Sequence, residues 1–363
     1  MKILTIQDRL RSGGTERQTV LLSNAFAAAG HDVTLLTFRP GGALAGTVNE
    51  RVMRRVLQPF DLGLDWFAPG LLRASAQVAP DVILCLGRMA NCLAGGLQQQ
   101  RLTPVVATMR TGKKLPWLFR RSLRRCRHVV ANGHEAKETL IRDYALPAEK
   151  ISVIPNALVF PPAAASGDDL STSRNLLRAA QGATPAAMVL VCVAMFRPEK
   201  NQRELIEIAA TLPAGLNWQL WLAGDGPARP ACERLVAAKG LASQIKFLGF
   251  QRDPSPFYAG ADAAVHASWS EALSNFLIEA QAHGLPFVAY EAQGIRECGV
   301  PGRTGWPIAR NHRDEFCQSV VRLAAQSPAD RAALAAEARA YARTTFDPTR
   351  QVTAYLDLFA RLR

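Results

Sequence analysis

Several things are scarce in this chain, and each scarcity narrows what it can be. The seven cysteines, at 85, 92, 126, 192, 232, 298 and 317, form no C-x-x-C pair, and none stands at zinc-ligand spacing to a histidine cluster. They read as reduced, mostly buried thiols in a cytosolic protein, not as a disulfide framework or zinc module. Long apolar runs are also missing. The longest uncharged one, AAMVLVCVAMF at 186–196, is about half the roughly 20 residues a membrane span needs, so it reads as a buried strand. At the start, MKILTIQDRL has a short apolar stretch broken by Gln7 and Asp8, too short for the core of a secretion signal, and no export is expected. Acidic residues vanish between Asp81 and Glu135.

What is present is ordinary globular usage: 48% apolar and 20% charged residues, with 22 prolines scattered along the chain. At 363 residues the chain exceeds what one core usually organises, which predicts two domains of roughly 150 to 200 residues. The net charge is +13, and it is lopsided. Residues 1–160 hold 22 Lys and Arg against 11 Asp and Glu, whereas the remainder holds 21 against 19. Such asymmetry points to an acidic partner for the first half, either an anionic membrane surface or nucleic acid.

The first half alternates apolar runs (KILTI, DVTLLTF, DVILCL, PVVATM, RHVVA, KISVIPN) with helical stretches such as TERQTVLLSNAFAAAG. Val, Ile and Leu runs without polar alternation suit a parallel sheet covered on both faces. The rhythm stops at 161–173, where FPPAAASGDDLSTS (160–173) reads as a linker. It restarts with AMVLVCVAMF, WQLWLAG, QIKFLGF, ADAAVHAS and LPFVAY, interleaved with helices. The expected fold is therefore α/β: two Rossmann-like, doubly wound parallel-sheet domains, at 1–160 and 174–345, facing a cleft. A last helix, 346–363, with Val352, Tyr355, Leu356 and Phe359 on one face, is expected to cross back to the first domain.

Within SEALSNFLIEAQAHGLP (270–286), Glu271 and Glu279 are separated by seven residues. Ser274 is a candidate N-cap, and Gly284 with Pro286 a stop, so a helix is expected from about Asn275 to His283. Free N–H groups at such a terminus suit a diphosphate, and carboxylates on either side can accept hydrogen bonds from sugar hydroxyls. An exposed pair of glutamates with no ligand is the plainer alternative. In AMFRPEKNQRE (194–204), Arg197 and Lys200 follow a buried strand and are placed to neutralise a leaving diphosphate, unless they form only a solvated basic turn.

The combination VAMFRPEKNQ, WLAGDGP, FLGF, ASWSEALSNFLIEAQAHGLPFVAY and EAQGIREC...GRTGW, in that order, resembles the C-terminal lobe of glycosyltransferase family 4, retaining enzymes of GT-B fold. SGGTERQ (12–18), VVANGHEAKETLI (129–141) and VIPNALV (153–159) are similar to its N-terminal lobe. The resemblance implies that Glu279 binds ribose hydroxyls, Lys200 the donor phosphates and Glu271 the transferred sugar. The Leu273 and Ser274 amides would contact sugar and phosphate, with Asn275 and Gly224 also on the donor side. Gly13 and Gly14 follow the first strand, where a loop without side chains lets backbone N–H groups approach phosphate or acceptor; a mere turn is the alternative.

There are departures from the family pattern. Many members carry Gly-Arg where this chain has Ala194-Met195, and Arg197 stands two residues on as the candidate replacement. Ala272 follows the first glutamate in place of the usual Gly. Arg110 occupies a position on the acceptor side that often holds His. The implied activity is transfer from a nucleoside-diphosphate sugar, UDP-linked by default, to a hydroxyl of a glycan or lipid-linked acceptor in cell-envelope polysaccharide or lipopolysaccharide synthesis. Catalysis would be electrostatic, through cations and helix amides at the departing diphosphate, with no base named. No D-x-D occurs anywhere, so no metal or other cofactor is expected.

RTGKKLPWLFRRSLRRCRH (110–128) carries eight Arg or Lys. Leu115, Leu118, Phe119, Leu123 and Cys126 fall at helical spacing on one face, with Arg120, Arg121, Arg124 and Arg125 elsewhere. That is the pattern of an amphipathic helix lying on an anionic membrane, which would place the protein peripherally on the cytoplasmic face of the inner membrane. The alternative is a helix whose apolar face packs on its own sheet. A nucleic-acid-binding protein competes on charge, but the patch has no recognisable motif and only Trp117 and Phe119 as aromatics, so no nucleic acid is expected. A nucleotide-sugar epimerase of GT-B fold would share the donor features and need no acceptor.

Overall fold

The computed structural model describes residues 1–100, 102–160 and 167–363. The chain divides into two compact units, Met1–Ala157 with Phe346–Arg363, and Leu158–Thr345. The first contains β1 (Lys2–Gln7), α1 (Gly14–Ala28), β2 (Asp32–Thr37), β3 (Val52–Val56), α2 (Leu71–Val78), β4 (Val82–Cys85), α3 (Arg88–Gln99), β5 (Val105–Met109), α4 (Trp117–Arg125), β6 (His128–Ala131), α5 (His134–Arg142) and β7 (Ile151–Val153). Its sheet is wholly parallel in the order β3-β2-β1-β4-β5-β6-β7.

Alternate strand residues feed two separate cores on the sheet's faces, as the two-residue period requires. Leu4, Ile6, Leu36 and Ile83 lie in one core, and Ile3, Val33, Leu35, Val82 and Leu84 in the other. Burial on both faces explains why the strands read as unbroken apolar runs.

The second unit runs through α6 (Gly167–Ala180), β8 (Met188–Val193), α7 (Gln202–Ala209), β9 (Trp218–Ala223), α8 (Arg229–Ala238), β10 (Ile245–Gly249), α9 (Ser255–Gly260), β11 (Ala263–His266), α10 (Asn275–Ala282), β12 (Phe287–Tyr290), β13 (Gly305–Ile308), α11 (Arg313–Ala324) and α12 (Pro328–Phe346). Its sheet, also parallel, is ordered β10-β9-β8-β11-β12-β13. Of the segment read as a linker, 161–166 lies outside the described residues, while 167–173 opens α6. Two arginines further along α6 tie it down: Arg174 and Arg178 each sit 2.6 Å from Asp262, just before β11. These long-range ion pairs are invisible to a reading of local composition.

After α12 the chain returns to the first unit as α13 (Pro348–Leu362). Asp347 caps it by accepting from the Thr349 and Arg350 amides, and Tyr355 and Phe359 pack edge-on against Phe26 of α1 at 6.1 and 5.7 Å. All seven cysteines are buried, and no disulfide joins any of them.

Candidate functional site

Ligands of doubly wound sheets gather beyond the C-terminal strand ends, where strand order reverses. In the second unit that point lies between β8 and β11. Lys200 ends a short turn after β8, and Glu271 lies in the loop after β11; Lys200 Nζ is 2.5 Å from Glu271 Oε1. The two loops are tied together. Ser268 Oγ and the Trp269 amide both donate to the Glu199 carbonyl, at 3.0 and 3.1 Å, and Gln202 Nε2 donates to the Met195 carbonyl at 3.1 Å.

Glu271 is 8% exposed. Burial alone would raise its carboxyl, but Lys200 and the His266 ring outweigh that and hold it at about 2. The His266 Nε2 lies 2.7 Å from the same Oε1 that Lys200 contacts.

The helix after Glu271 begins as the sequence predicts. Ser274 Oγ accepts from the Leu277 amide at 3.5 Å, a long N-cap bond. Among the described residues, the Leu273 and Ser274 amides find no protein acceptor, so two donors sit open at the positive end of α10. One turn inside, Glu279 Oε2 accepts from the Tyr258 hydroxyl at 2.8 Å. Tyr258 is itself held between Phe276 and His283, with ring centroids at 6.1 and 4.9 Å.

Two glycines seat the surrounding loops. Gly224 adopts φ 138°, and a Cβ there would lie 2.1 Å from the Ala194 carbonyl; Gly294 has φ 75° and would place one 1.9 Å from the Ala272 carbonyl. Both are close backbone approaches that only glycine permits.

Of the remaining sequence candidates, Arg197 lies in the second unit, and Gly13, Gly14 and Arg110 lie in the first. Arg197 is exposed, and among the described residues no hydrogen bond or ion pair joins its guanidinium to Lys200 or Glu271. Gly13 and Gly14 lie in the first unit, where they open α1: Gly13 is its N-cap at φ −76°, an ordinary conformation, and a Cβ there would meet the Glu16 carboxylate at 2.5 Å. Arg110, expected on the acceptor side, donates within its unit to Asn156 Oδ1 and, at 2.9 Å, to the Tyr355 hydroxyl of α13.

The amphipathic reading of 110–128 needs correction. Leu115, Phe119, Leu123 and Cys126 are no more than 2% exposed and belong to the unit's core, because α4 packs tightly on α3, where the Gly95 amide donates to Ser122 Oγ at 2.6 Å. That apolar face is unavailable to a bilayer. Trp117, Leu118, Arg121 and Arg124 remain exposed, with Arg120 and Arg125 half-buried: Arg121 lies 5.1 Å above the Trp117 ring, and Arg124 and Arg125 make single hydrogen bonds to the Tyr144 carbonyl and Gln99.

Three residues were not singled out from sequence. His266 and Tyr258 hold the two glutamates. Asp8, after β1 at the first unit's own reversal point, accepts from the Met89 and Ala90 amides at 3.0 and 2.8 Å, and burial raises its carboxyl to about 6 against those bonds. A lone His in an apolar strand carries no signal of its own. The acid after KILTIQ could have been noticed as a strand-end carboxylate.

Residues 187–326 match the family described as glycosyl transferases group 1, and residues 12–158 match glycosyltransferase family 4. The chain belongs to glycosyltransferase family 4. Among curated relatives of this family-4 chain, the lipopolysaccharide core biosynthesis glycosyltransferase LpsE of Rhizobium meliloti is 31% identical over 145 residues, 40% of this chain and 42% of its own length. The alpha-D-kanosaminyltransferase of Streptomyces kanamyceticus is 30% identical over 212 residues, 57% of this chain and 53% of its own. The chain thus spans about half the length of the curated relatives it matches. Among solved structures, HepE of Anabaena in complex with UDP is 20% identical with a TM-score of 0.82, covering 99% of this chain and 100% of that one. The fold is GT-B, with one Rossmann-like sheet in each unit.

Proposed function

We propose that this chain is a retaining glycosyltransferase that moves a sugar from a nucleoside-diphosphate donor to a hydroxyl of a glycan or lipid-linked acceptor, in envelope polysaccharide or lipopolysaccharide synthesis. The observation that carries the reading is the joining of Lys200 and Glu271 across the β8/β11 reversal, beside the open amides of α10 and one turn from Glu279. Lys200 and the amides present positive charge where a diphosphate departs, and such pre-placed charge lowers the barrier without rearranging at the moment of reaction. Glu279, steadied by Tyr258, presents a carboxylate to ribose hydroxyls. Arg197, exposed in the loop after β8, adds a second cation, and we assign diphosphate neutralisation to these side chains, not to a metal. The support for a UDP-linked donor is likeness of fold to HepE, solved with UDP; the support for an envelope product is the naming of relatives such as LpsE and the lipopolysaccharide glucosyltransferase WaaG of Escherichia coli.

The test is thermal-shift binding of UDP, GDP, ADP and CMP with their sugars, in EDTA, on wild type and Glu279→Ala. A ligand at 100 times its Kd stabilises by about 2.7 kcal/mol. One nucleotide is expected to raise the melting temperature of wild type and not of the variant. No shift with any of them would overturn the proposal.

We infer further that the first unit meets an anionic membrane through the basic surface of α4. With the apolar face buried, this contact is electrostatic adsorption and not insertion. No helix among the described residues is long and apolar enough to cross a membrane.

A further inference from the structure

Glu271 is placed as no isolated carboxylate would be. Both of its protein partners, Lys200 at 2.5 Å and His266 at 2.7 Å, address one oxygen, Oε1. Among the described residues Oε2 accepts nothing, yet it is not among the sealed, unpartnered polar atoms. The carboxylate is therefore locked at one oxygen and open at the other. His266 does the locking from deep inside: the ring is 1% exposed, sits at the end of β11, and packs edge-on against Phe276 of α10 with centroids 5.5 Å apart.

The ring's other nitrogen, Nδ1, is buried without a partner. An imidazolium would leave a sealed N–H there unsatisfied, whereas the neutral tautomer with its proton on Nε2 leaves only a lone pair, so the surroundings select a neutral ring that donates to Glu271. Burial acts in the same direction on His266, against the pull of Glu271.

We propose that His266 is a positioning residue for the donor sugar: its Nε2–H fixes Glu271 Oε1 so that Oε2 faces a hydroxyl of the transferred sugar. This rests on the reading of the site as a nucleotide-sugar site. His266 touches neither nucleotide nor sugar. It acts by choosing which oxygen of Glu271 is free and by spreading the carboxylate's charge, which keeps Glu271 ionised and prevents Lys200 from swinging it toward the diphosphate.

The experiment compares wild type, His266→Leu and His266→Gln by calorimetric titration with UDP and with UDP-glucose, or with the pair the nucleotide panel selects, and follows release of the nucleoside diphosphate from the sugar donor against pH. A hydrogen bond to a charged group is worth roughly a factor of ten to a hundred. His266→Leu should bind the bare diphosphate as wild type does, lose roughly tenfold or more in affinity for the sugar donor or in kcat, and gain an acid limb at higher pH, because Glu271 has lost a donor that favours its charged form. Gln, whose amide reaches the same oxygen, should recover most of the loss. Equal loss of diphosphate and sugar-donor binding would reduce His266 to a packing residue, as would a Gln variant as poor as Leu. An unaltered Leu variant would overturn the inference while leaving the glycosyltransferase reading intact. Wild type that binds no nucleotide would bring down that reading instead.

Discussion

Asp8 shows how one side chain ties stability to pH. Unfolded, its carboxyl ionises near 3.8; folded, burial outweighs the two α3 amides and lifts it to about 6. The folded protein thus holds the proton more tightly. The associated stability is fully present below about pH 4 and is lost as pH rises through 6, a difference of about 3 kcal/mol for a shift of some two units. Asp8→Asn removes the charge but keeps an acceptor for only one of the two amides, since Met89 addresses Oδ2 and Ala90 Oδ1, a loss of about 1 kcal/mol. It should therefore stabilise the first unit by about 2 kcal/mol at pH 7.5 and destabilise it by about 1 kcal/mol at pH 4, read from urea midpoints at the two pH values. Destabilisation at pH 7.5 would mean that the α3 terminus favours the charge more than burial opposes it. Residues of this kind mark the limit of the sequence. Glu271, Lys200 and Glu279 were legible as candidates because they stand beside a strand end and a helix terminus, in motifs that resemble glycosyltransferase family 4. His266 and Tyr258 were not, since a histidine in AAVH and a tyrosine in PFYAG read as core until register brings them within hydrogen-bond reach.

Among elements, α10 and its approach are built from local rules: a Ser N-cap, an apolar run, and Gly284 at φ 82° as the stop. That is why 275–283 was readable within a residue of the observed Asn275–Ala282. What steadies the loop in front of it is remote. The Gly294 backbone lies against the Ala272 carbonyl, 22 residues earlier in sequence, and no periodicity announces that contact. Gly294→Ala should displace the 272–274 loop and abolish nucleotide stabilisation. Gly240→Ala is the control: it too has positive φ, 66°, but nothing lies within 4 Å of its Cβ. It should cost about 1 kcal/mol in stability and leave the nucleotide shift unchanged. Parallel nucleotide titrations of the two variants check this, and equal behaviour would deny Gly294 its role. The α4 helix fails in the opposite direction, for its period was right while its partner was α3 and not a membrane, a choice that amphipathicity alone cannot make.

For the whole molecule, the sheet-helix rhythm and the return of the last helix follow from long apolar runs and from the Val352, Tyr355, Phe359 stripe, which lies buried in the first unit's core. Charge was equally legible, as a sum. The excess of 22 basic over 11 acidic residues in 1–160 was always going to be a surface property, and the structure shows where part of it lies: along α4, with Trp117 62% exposed beside Arg121. Adsorption to anionic lipid is worth about 1 kcal/mol per basic side chain near the surface and is screened within about 10 Å at 0.1 M salt. Arg124 and Arg125 also hold neighbours in place, so the four arginines together should contribute less than their full sum. Replacing Arg120, Arg121, Arg124 and Arg125 with Gln should weaken co-sedimentation with phosphatidylserine vesicles at least tenfold, and raising salt to 1 M should do the same to wild type. Neutral phosphatidylcholine vesicles should bind neither protein. If wild type binds neutral and anionic vesicles alike, the contact is apolar, and Trp117 with Leu118 becomes its source; if the variant binds anionic vesicles as wild type does, α4 is not the docking surface, and the basic excess acts elsewhere on the unit.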